Sequence, residues 1–278
     1  MSDAEDGRKM RINELSVVVL CGGLGTRLRE ETEFKPKPMV TIGGRPILWH
    51  IMKHYRHFGA REFVLCLGYR GDVIRDFFLN YPIYNTDFAV DMSTGDVETL
   101  SNGCPEDWRV VLAETGEETL TGARLRQALK YIPGTTFLAT YGDGVSDIDL
   151  DRLLAQHKAS GRLATVTAVR PSSRFGELSI DGGAVTRFRE KPQINDGWIN
   201  GGFFVFEKRA FDRIRPGDNV SLEEGILESL AEEGQLGVYQ HHGFWQSMDT
   251  FREMQLLNQM WESEKAPWNL WKEHRLSA

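Results

Sequence analysis

Gly22, Gly23 and Gly25, then Arg27, then Lys35 and Lys37 all fall within residues 17–46, VVVLCGGLGTRLREETEFKPKPMVTIGGRP. The apolar run at 17–20 reads as a buried parallel strand. The three glycines leave its C-terminal end without side chains, so backbone N–H groups can come close to phosphate oxygens. Arg27, Lys35 and Lys37 bring full positive charges to the same place, an arrangement suited to a nucleoside triphosphate. Two better-known phosphate motifs do not fit. A dinucleotide fingerprint needs a third glycine where Thr26, Arg27 and Leu28 stand, and a P-loop needs a G-K-[ST] ending that is missing. A tight turn would explain the glycines alone. It would not explain Thr26-Arg27 followed by K-P-K-P-M.

Acidic residues supply the second half of the chemistry. Asp143 follows the apolar run 137–141 between Gly142 and Gly144, and Asp249 follows 244–246 just before a stretch of helical period. In a doubly wound sheet, ligands bind beyond the carboxyl ends of strands, where both aspartates would lie. Two carboxylates brought together suit Mg²⁺, which takes one or two of them and completes its shell with phosphate oxygens and water. Taken singly, Asp143 also reads as a turn former and Asp249 as a helix N-cap. The Asp-Xaa-Asp pattern of many nucleotide-sugar glycosyltransferases is missing, since Gly144 and Val145 follow Asp143. Glu190-Lys191-Pro192 could hold a second phosphate or be an ordinary surface pair. His50, His54 and His57 recur at helical spacing without an acidic partner, and read as a polar helix face.

The elements that must carry these residues alternate. Short apolar runs at 17–20, 63–67, 136–140, 164–169 and 203–206 are separated by stretches of helical period at 46–58, 71–80, 123–131 and 150–160. This pattern predicts an α/β fold, a doubly wound and mostly parallel sheet. Residues 81–113 read as an irregular insertion, a length that usually has a function or a partner. Residues 249–261 are again helical in period, and the KAPWNLW segment beyond them reads as a domain or subunit contact through Trp261, Trp268 and Trp271.

Composition narrows the classes. A chain of 278 residues that is 41% hydrophobic can bury a large core, and no apolar run approaches bilayer length. The acidic first fifteen residues lack the layout of a signal peptide and read as a flexible extension. Cys21, Cys66 and Cys104 are too few for a disulfide framework or a zinc site, which suggests a reducing cytoplasm; Cys21 reads as a small buried residue. A net charge of −7 argues against a nucleic-acid polymer as partner, and the positive charge is instead local, as a small polyanion would require.

GGLGTRL followed by KPKPM resembles the sugar-1-phosphate nucleotidylyltransferases. IGGRPILWHIMKHY, TLTGARL, TYGDGVSDID, FREKP, INGGFFVF, GFWQSMDT and KAPWNLW resemble one branch, the glucose-1-phosphate cytidylyltransferases, in order and spacing from about residue 17 to 271. The resemblance implies a Rossmann-like nucleotidyltransferase fold, one domain over 16–278, that converts CTP and α-D-glucose 1-phosphate into CDP-glucose and pyrophosphate. It implies that Leu20, Gly22, Gly23, Gly25, Thr26, Arg27, Lys37, Thr119, Arg124 and Gly142 hold the nucleotide. Gly176, Glu190, Lys191, Asn200 and Gly201 would lie along the sugar phosphate, and Asp143 and Asp249 would bind Mg²⁺. Arg27, Lys37 and Asp143 would be catalytic. Arg124, a donor-only guanidinium, would suit the O2 and N3 acceptors of cytosine and oppose the N3 hydrogen of uracil and thymine. The family also implies a homo-oligomer, a hexamer, with 81–113 as a contact or nucleotide-covering segment. It often has alanine where Cys21 stands. Two alternatives stay open: another phosphorylated acceptor or UTP/dTTP as donor, and a non-catalytic sugar-nucleotide sensor, which would not need Arg27, Lys37, Asp143, Lys191 and Asp249 together.

Overall fold

The structure, a computed structural model, describes residues 10–23, 32–101, 106–171 and 197–272, with 177–181 and 184–189 as backbone. Its centre is one sheet of β1 (Ser16–Leu20), β2 (Glu62–Leu67), β3 (Arg109–Glu114), β4 (Thr136–Tyr141), β5 (Ala164–Val169), β6 (Ile199–Glu207) and β7 (Leu236–Gln240). In space the order is β3-β2-β1-β4-β6-β5-β7. Every neighbouring pair is parallel except those of β6, which runs antiparallel to both β4 and β5. The chain builds outward from β1 to β3 and restarts on the other side of β1 with β4. That reversal opens a crevice at the carboxyl ends of β1 and β4.

Strand burial shows why the apolar runs are continuous rather than alternating. All five residues of β1 are buried; Val17 and Val19 enter one core, while Val18 and Leu20 enter the other. Side chains alternate across a strand, so a sheet covered by helices on both faces needs apolar residues at every position. Helix α1 (Ile47–His57) buries Ile47, Leu48, Ile51, Met52 and Tyr55 on the first face. It is joined there by α2 (Gly71–Leu79), α4 (Leu150–Ser160) and α5 (Phe251–Glu262), through Ile74, Leu153 and Leu257 among others. Helix α3 (Thr121–Ala128) buries Leu125 and Ala128 on the opposite face.

Several expectations need correction. The segment 81–113 is not one irregular insertion: it holds a short helix Tyr81–Asn85 and a hairpin of Phe88–Val90 with Val97–Thr99, and it runs into β3, an edge strand of the main sheet. Strand β3 is only half-buried, so RVVLAE lacks the apolar continuity of a central strand. Strand β7, also at an edge, was likewise not foreseen. His50 and His54 do not form a polar face. Both are buried, and His50 Nε2 meets the Ile42 carbonyl at 2.9 Å. Trp261, Trp268 and Trp271 pack within the chain around His50, with Trp268 fully buried. At the N-terminal end, Ile12 and Leu15 are in the core, so the folded body begins before residue 16.

Candidate active site

Strands β1 and β4 run side by side as far as the Leu20–Tyr141 pair, where the Gly142 N–H donates to the Leu20 carbonyl at 3.0 Å. A Cβ at Gly142 would stand 2.8 Å from that oxygen and 2.9 Å from Pro38 Cγ. Only glycine lets the two strand ends and the K-P-K-P-M segment close up here. Pro38 and Met39 are buried in a 3₁₀ turn, Lys37–Met39, and this anchors the turn so that Lys37 faces the crevice.

Asp143 and Asp249 are more than a hundred residues apart in the chain and meet through a small antiparallel pair of Gly144–Ser146 with Trp245–Ser247. The Met248 N–H donates to the Asp143 carbonyl at 2.8 Å, which sets the two aspartates side by side. Lys37 Nζ lies between them, donating to Asp143 Oδ2 at 2.7 Å and to Asp249 Oδ1 at 2.5 Å. Burial by itself would lower the Lys37 pKa. The charge of Asp143 and the hydrogen bonds to both aspartates outweigh it and hold the ammonium above its ordinary range. Ser247 Oγ donates to the other oxygen of Asp249 at 2.9 Å. Asp249 is not the N-cap of α5. That position belongs to Thr250, which accepts from the Glu253 N–H in a capping box.

Both carboxylates already converge on one cationic atom, so the pair fits a hard divalent ion that takes its remaining ligands from phosphate and water. Among the described residues, no cluster of three or more His, Cys, Asp or Glu offers an all-protein cage. An ion held by both aspartates would have to share or take over the place of the Lys37 ammonium.

Above this triad opens a cleft of about 520 Å³, bordered by Gly22, Gly23, Lys37, Thr119, Arg124 and Asp143 among others. Arg124 is buried, and its terminal nitrogens are already engaged. Nη1 donates to Leu67 O at 2.8 Å and Thr115 Oγ1 at 2.7 Å, and Nη2 to Gly22 O at 3.0 Å and Glu117 O at 3.1 Å. A side chain at Gly22 or Gly68 would collide with this guanidinium. Burial lowers the Arg124 pKa, partly opposed by Cys66, Cys21 and Glu114. Cys21 and Cys66 are buried beside it, and burial pushes the Cys66 thiol up to about 12 and that of Cys21 well above its ordinary range, so neither is a nucleophile.

The structure thus brings together Leu20, Gly22, Gly23, Lys37, Thr119, Arg124, Gly142 and Asp143 around one cleft, with Asp249 joined to it through Lys37. Asn200 is tied to its wall, where Asn200 Nδ2 donates to Tyr141 Oη at 3.1 Å, whereas Gly201 is not among the lining residues and its carbonyl accepts from Trp245 Nε1 at 2.7 Å. Gly25, Thr26, Arg27, Gly176, Glu190 and Lys191 lie outside the described residues. Sequence reasoning missed Tyr141 and Glu223, which also line the cleft. Tyr141 stood in the quoted TYGDG motif but read as the last residue of an apolar run. Glu223 gave no signal of its own.

A crevice at the strand reversal, a glycine-rich strand end and a lysine set between two aspartates describe a nucleotidyl-transfer site. Residues 16–259 match the nucleotidyl transferase family model, and the chain belongs to that family. Within it, the chain is 46% identical over 259 residues to glucose-1-phosphate cytidylyltransferase of Salmonella typhi, covering 93% of this chain and all of that one. It is 44% identical over 257 residues to a probable glucose-1-phosphate cytidylyltransferase of Bacillus subtilis, covering 92% and 100%. The fold is also that of crystalline HddC from Yersinia pseudotuberculosis, with a TM-score of 0.66 at 24% identity over 89% of this chain and 99% of the other.

Proposed function

We propose that this chain transfers a cytidylyl group from CTP to α-D-glucose 1-phosphate, giving CDP-glucose and pyrophosphate. Full-length similarity to glucose-1-phosphate cytidylyltransferases supports the substrates. The observation that carries the chemistry is Lys37 held between Asp143 and Asp249 at the mouth of the cleft. A phosphate oxygen of glucose 1-phosphate attacks the α-phosphorus of CTP. A new P–O bond forms as the bond from the α-phosphorus to the bridging oxygen breaks, and that electron pair leaves with pyrophosphate. The nucleophile is already an anion, so no strong base is needed, and the protein's contribution is positioning and charge stabilisation.

In this reading Lys37 neutralises charge growing on the α-phosphate, Arg27 the departing pyrophosphate and Lys191 the incoming sugar phosphate. Leu20, Gly22, Gly23, Gly25, Thr26 and Gly142 cradle the nucleotide through backbone N–H and C=O groups. Gly176, Glu190, Asn200 and Gly201 line the sugar side. Asp143 and Asp249 would hold Mg²⁺ once Lys37 gives up its place between them, and the ion would supply positive charge against the repulsion between the two anionic substrates. Thr119 and Arg124 read cytosine; for Arg124 this requires giving up bonds that its rigid, planar guanidinium makes to the Gly22 and Glu117 carbonyls. The hairpin around Phe88 and Val97 joins copies of the chain into a homo-oligomer, a hexamer, that works in the cytoplasm. No helix among the described residues is long and apolar enough to cross a membrane.

Asp143→Asn and Asp249→Asn test the metal role, because an amide keeps the shape and the contact region but binds Mg²⁺ poorly. Each is expected to keep its thermal midpoint to within a few degrees and to lose nearly all turnover and Mn²⁺ binding. A variant that keeps its Mn²⁺ affinity would show that its aspartate only positions Lys37.

A further inference from the structure

A chain of hydrogen bonds links α3 to β6 through Glu223 and Tyr141, two residues that line the cleft. The Leu222 N–H donates to Thr121 Oγ1 at 2.8 Å, and Thr121 Oγ1 donates to Glu223 Oε2 at 3.0 Å. On the other carboxylate oxygen, Glu223 Oε1 accepts from the Tyr141 hydroxyl at 2.5 Å. Tyr141 in turn accepts from Asn200 Nδ2, and Asn200 Oδ1 accepts from the Gly202 N–H at 2.9 Å. Thr121 opens α3, directly after the Thr119 segment on the nucleotide side, whereas Asn200 stands near the start of β6 on the opposite side.

The direction of every bond is fixed. Thr121 has one hydroxyl proton and receives one from Leu222, so its proton must go to Glu223. A carboxylate oxygen can only accept, so the Tyr141 hydroxyl donates to Glu223 Oε1. Tyr141 can therefore meet Asn200 only as an acceptor, which settles which way the Asn200 amide faces. Both donor chains end on the single charge of Glu223.

Backbone irregularities gather where this chain needs them. Glu223 begins a π-helical turn, Glu223–Leu227. The register of β5 with β6 slips between the pairs made by Phe204 and Asn200. Gly202 has φ +75°, and a Cβ there would stand 3.0 Å from the Tyr141 ring. Phe203, fully packed and without glycine's freedom, is held at φ +44°. π-turns, bulges and left-handed residues each cost energy and recur beside functional sites.

We infer that Tyr141 and Glu223 are positioning residues that tie Asn200 to the nucleotide side of the cleft and so hold it in place for the sugar phosphate. The inference rests on the reading above, in which Asn200 lies along the sugar. Both act through Asn200, so their loss should affect glucose 1-phosphate more than CTP.

Initial-rate kinetics of pyrophosphate release test this, with CTP and glucose 1-phosphate varied in turn. Tyr141→Phe keeps the ring and removes the hydroxyl, leaving the Asn200 amide and Glu223 without that partner. The expected result is a rise of about tenfold in KM for glucose 1-phosphate, with KM for CTP within twofold of the parent. Glu223→Gln is the second variant, in case the first folds poorly. Its amide can still accept from Tyr141 but presents an N–H to Thr121 and carries no charge, so the anchor of the chain is weakened and the same substrate should be affected. The double variant should be no worse than Tyr141→Phe alone, as expected for links in series. An unchanged KM for glucose 1-phosphate, or equal rises for both substrates, would overturn the relay. A parent protein that makes no product from this substrate pair would overturn the proposed reaction instead, so the two failures are distinguishable.

Discussion

Arg124 shows how one side chain can serve the fold and the site together. Its guanidinium ties the carbonyls of Leu67, Gly22 and Glu117 to α3, so it holds the glycine-rich strand end against the loop that carries Glu117. Removing it leaves buried carbonyl groups unsatisfied, at a cost of about 1–3 kcal/mol. Arg124→Gln restores an acceptor toward the base but cannot reach all four oxygens. It is expected to lower the thermal midpoint and also to narrow the CTP over UTP preference in kcat/KM by about one to two orders of magnitude, since a paired base contact is worth about 1–3 kcal/mol. A lower midpoint with an unchanged CTP/UTP ratio would assign base reading to Thr119 or the backbone, and leave Arg124 a purely structural role.

At the scale of elements, α1 makes the protein sensitive to acid. Burial pushes His54 down to about 3 and His50 to about 4, whereas both titrate near 6.5 in an unfolded chain. Below about pH 6.5 the unfolded state binds the extra protons, so stability is full above that pH and falls as pH drops toward 4. Each histidine adds a slope of about 1.4 kcal/mol per pH unit in that window. Urea midpoints should fall steadily from pH 7 to pH 5, and His54→Phe should flatten the curve. A midpoint independent of pH over that range would mean that these histidines are not held neutral.

Elements also decide how much the sequence could show. Strands β1, β2, β4, β5 and β6 are buried on both faces, and such strands are apolar without a break, so their positions were legible. Edge strands β3 and β7 mix exposed and buried residues and look like loop. Lys37 and Asp143 were legible as candidates because glycine and proline surround them in unusual combinations. That Asp249 shares Lys37 with Asp143 was not, because it depends on pairing of Gly144–Ser146 with Trp245–Ser247, a tertiary contact without any local signature. The Glu223–Tyr141–Asn200 chain was hidden for the same reason.

For the whole molecule, the acidic balance of the chain, −7 overall, extends into the cleft. Among its described lining residues Lys37 and Arg124 are outnumbered by Glu117, Glu118, Asp143 and Glu223, so a polyanionic ligand needs an added cation there. The hairpin side is different in character: Phe88, Val90, Met92, Val97 and Leu100 are all exposed, Met92 at 89%. Apolar residues gathered on one projecting element commonly mark an association surface. Light scattering is expected to give a multiple of the 31.6 kDa chain mass, and Met92→Lys with Val97→Lys to shift it toward the monomer. A parent protein that is monomeric at working concentration would rule out the hairpin as a subunit contact.

A matrix of initial rates decides which two substrates the cleft takes. Pyrophosphate release is measured for CTP, UTP, dTTP and GTP against glucose 1-phosphate, mannose 1-phosphate and galactose 1-phosphate, with Mg²⁺ and with excess EDTA. CTP with glucose 1-phosphate is expected to exceed every other pair in kcat/KM, by about tenfold or more over UTP with the same sugar, and EDTA is expected to abolish the rate. A different pair leading the matrix, or no pair releasing pyrophosphate, would rule out CTP and glucose 1-phosphate as the substrates.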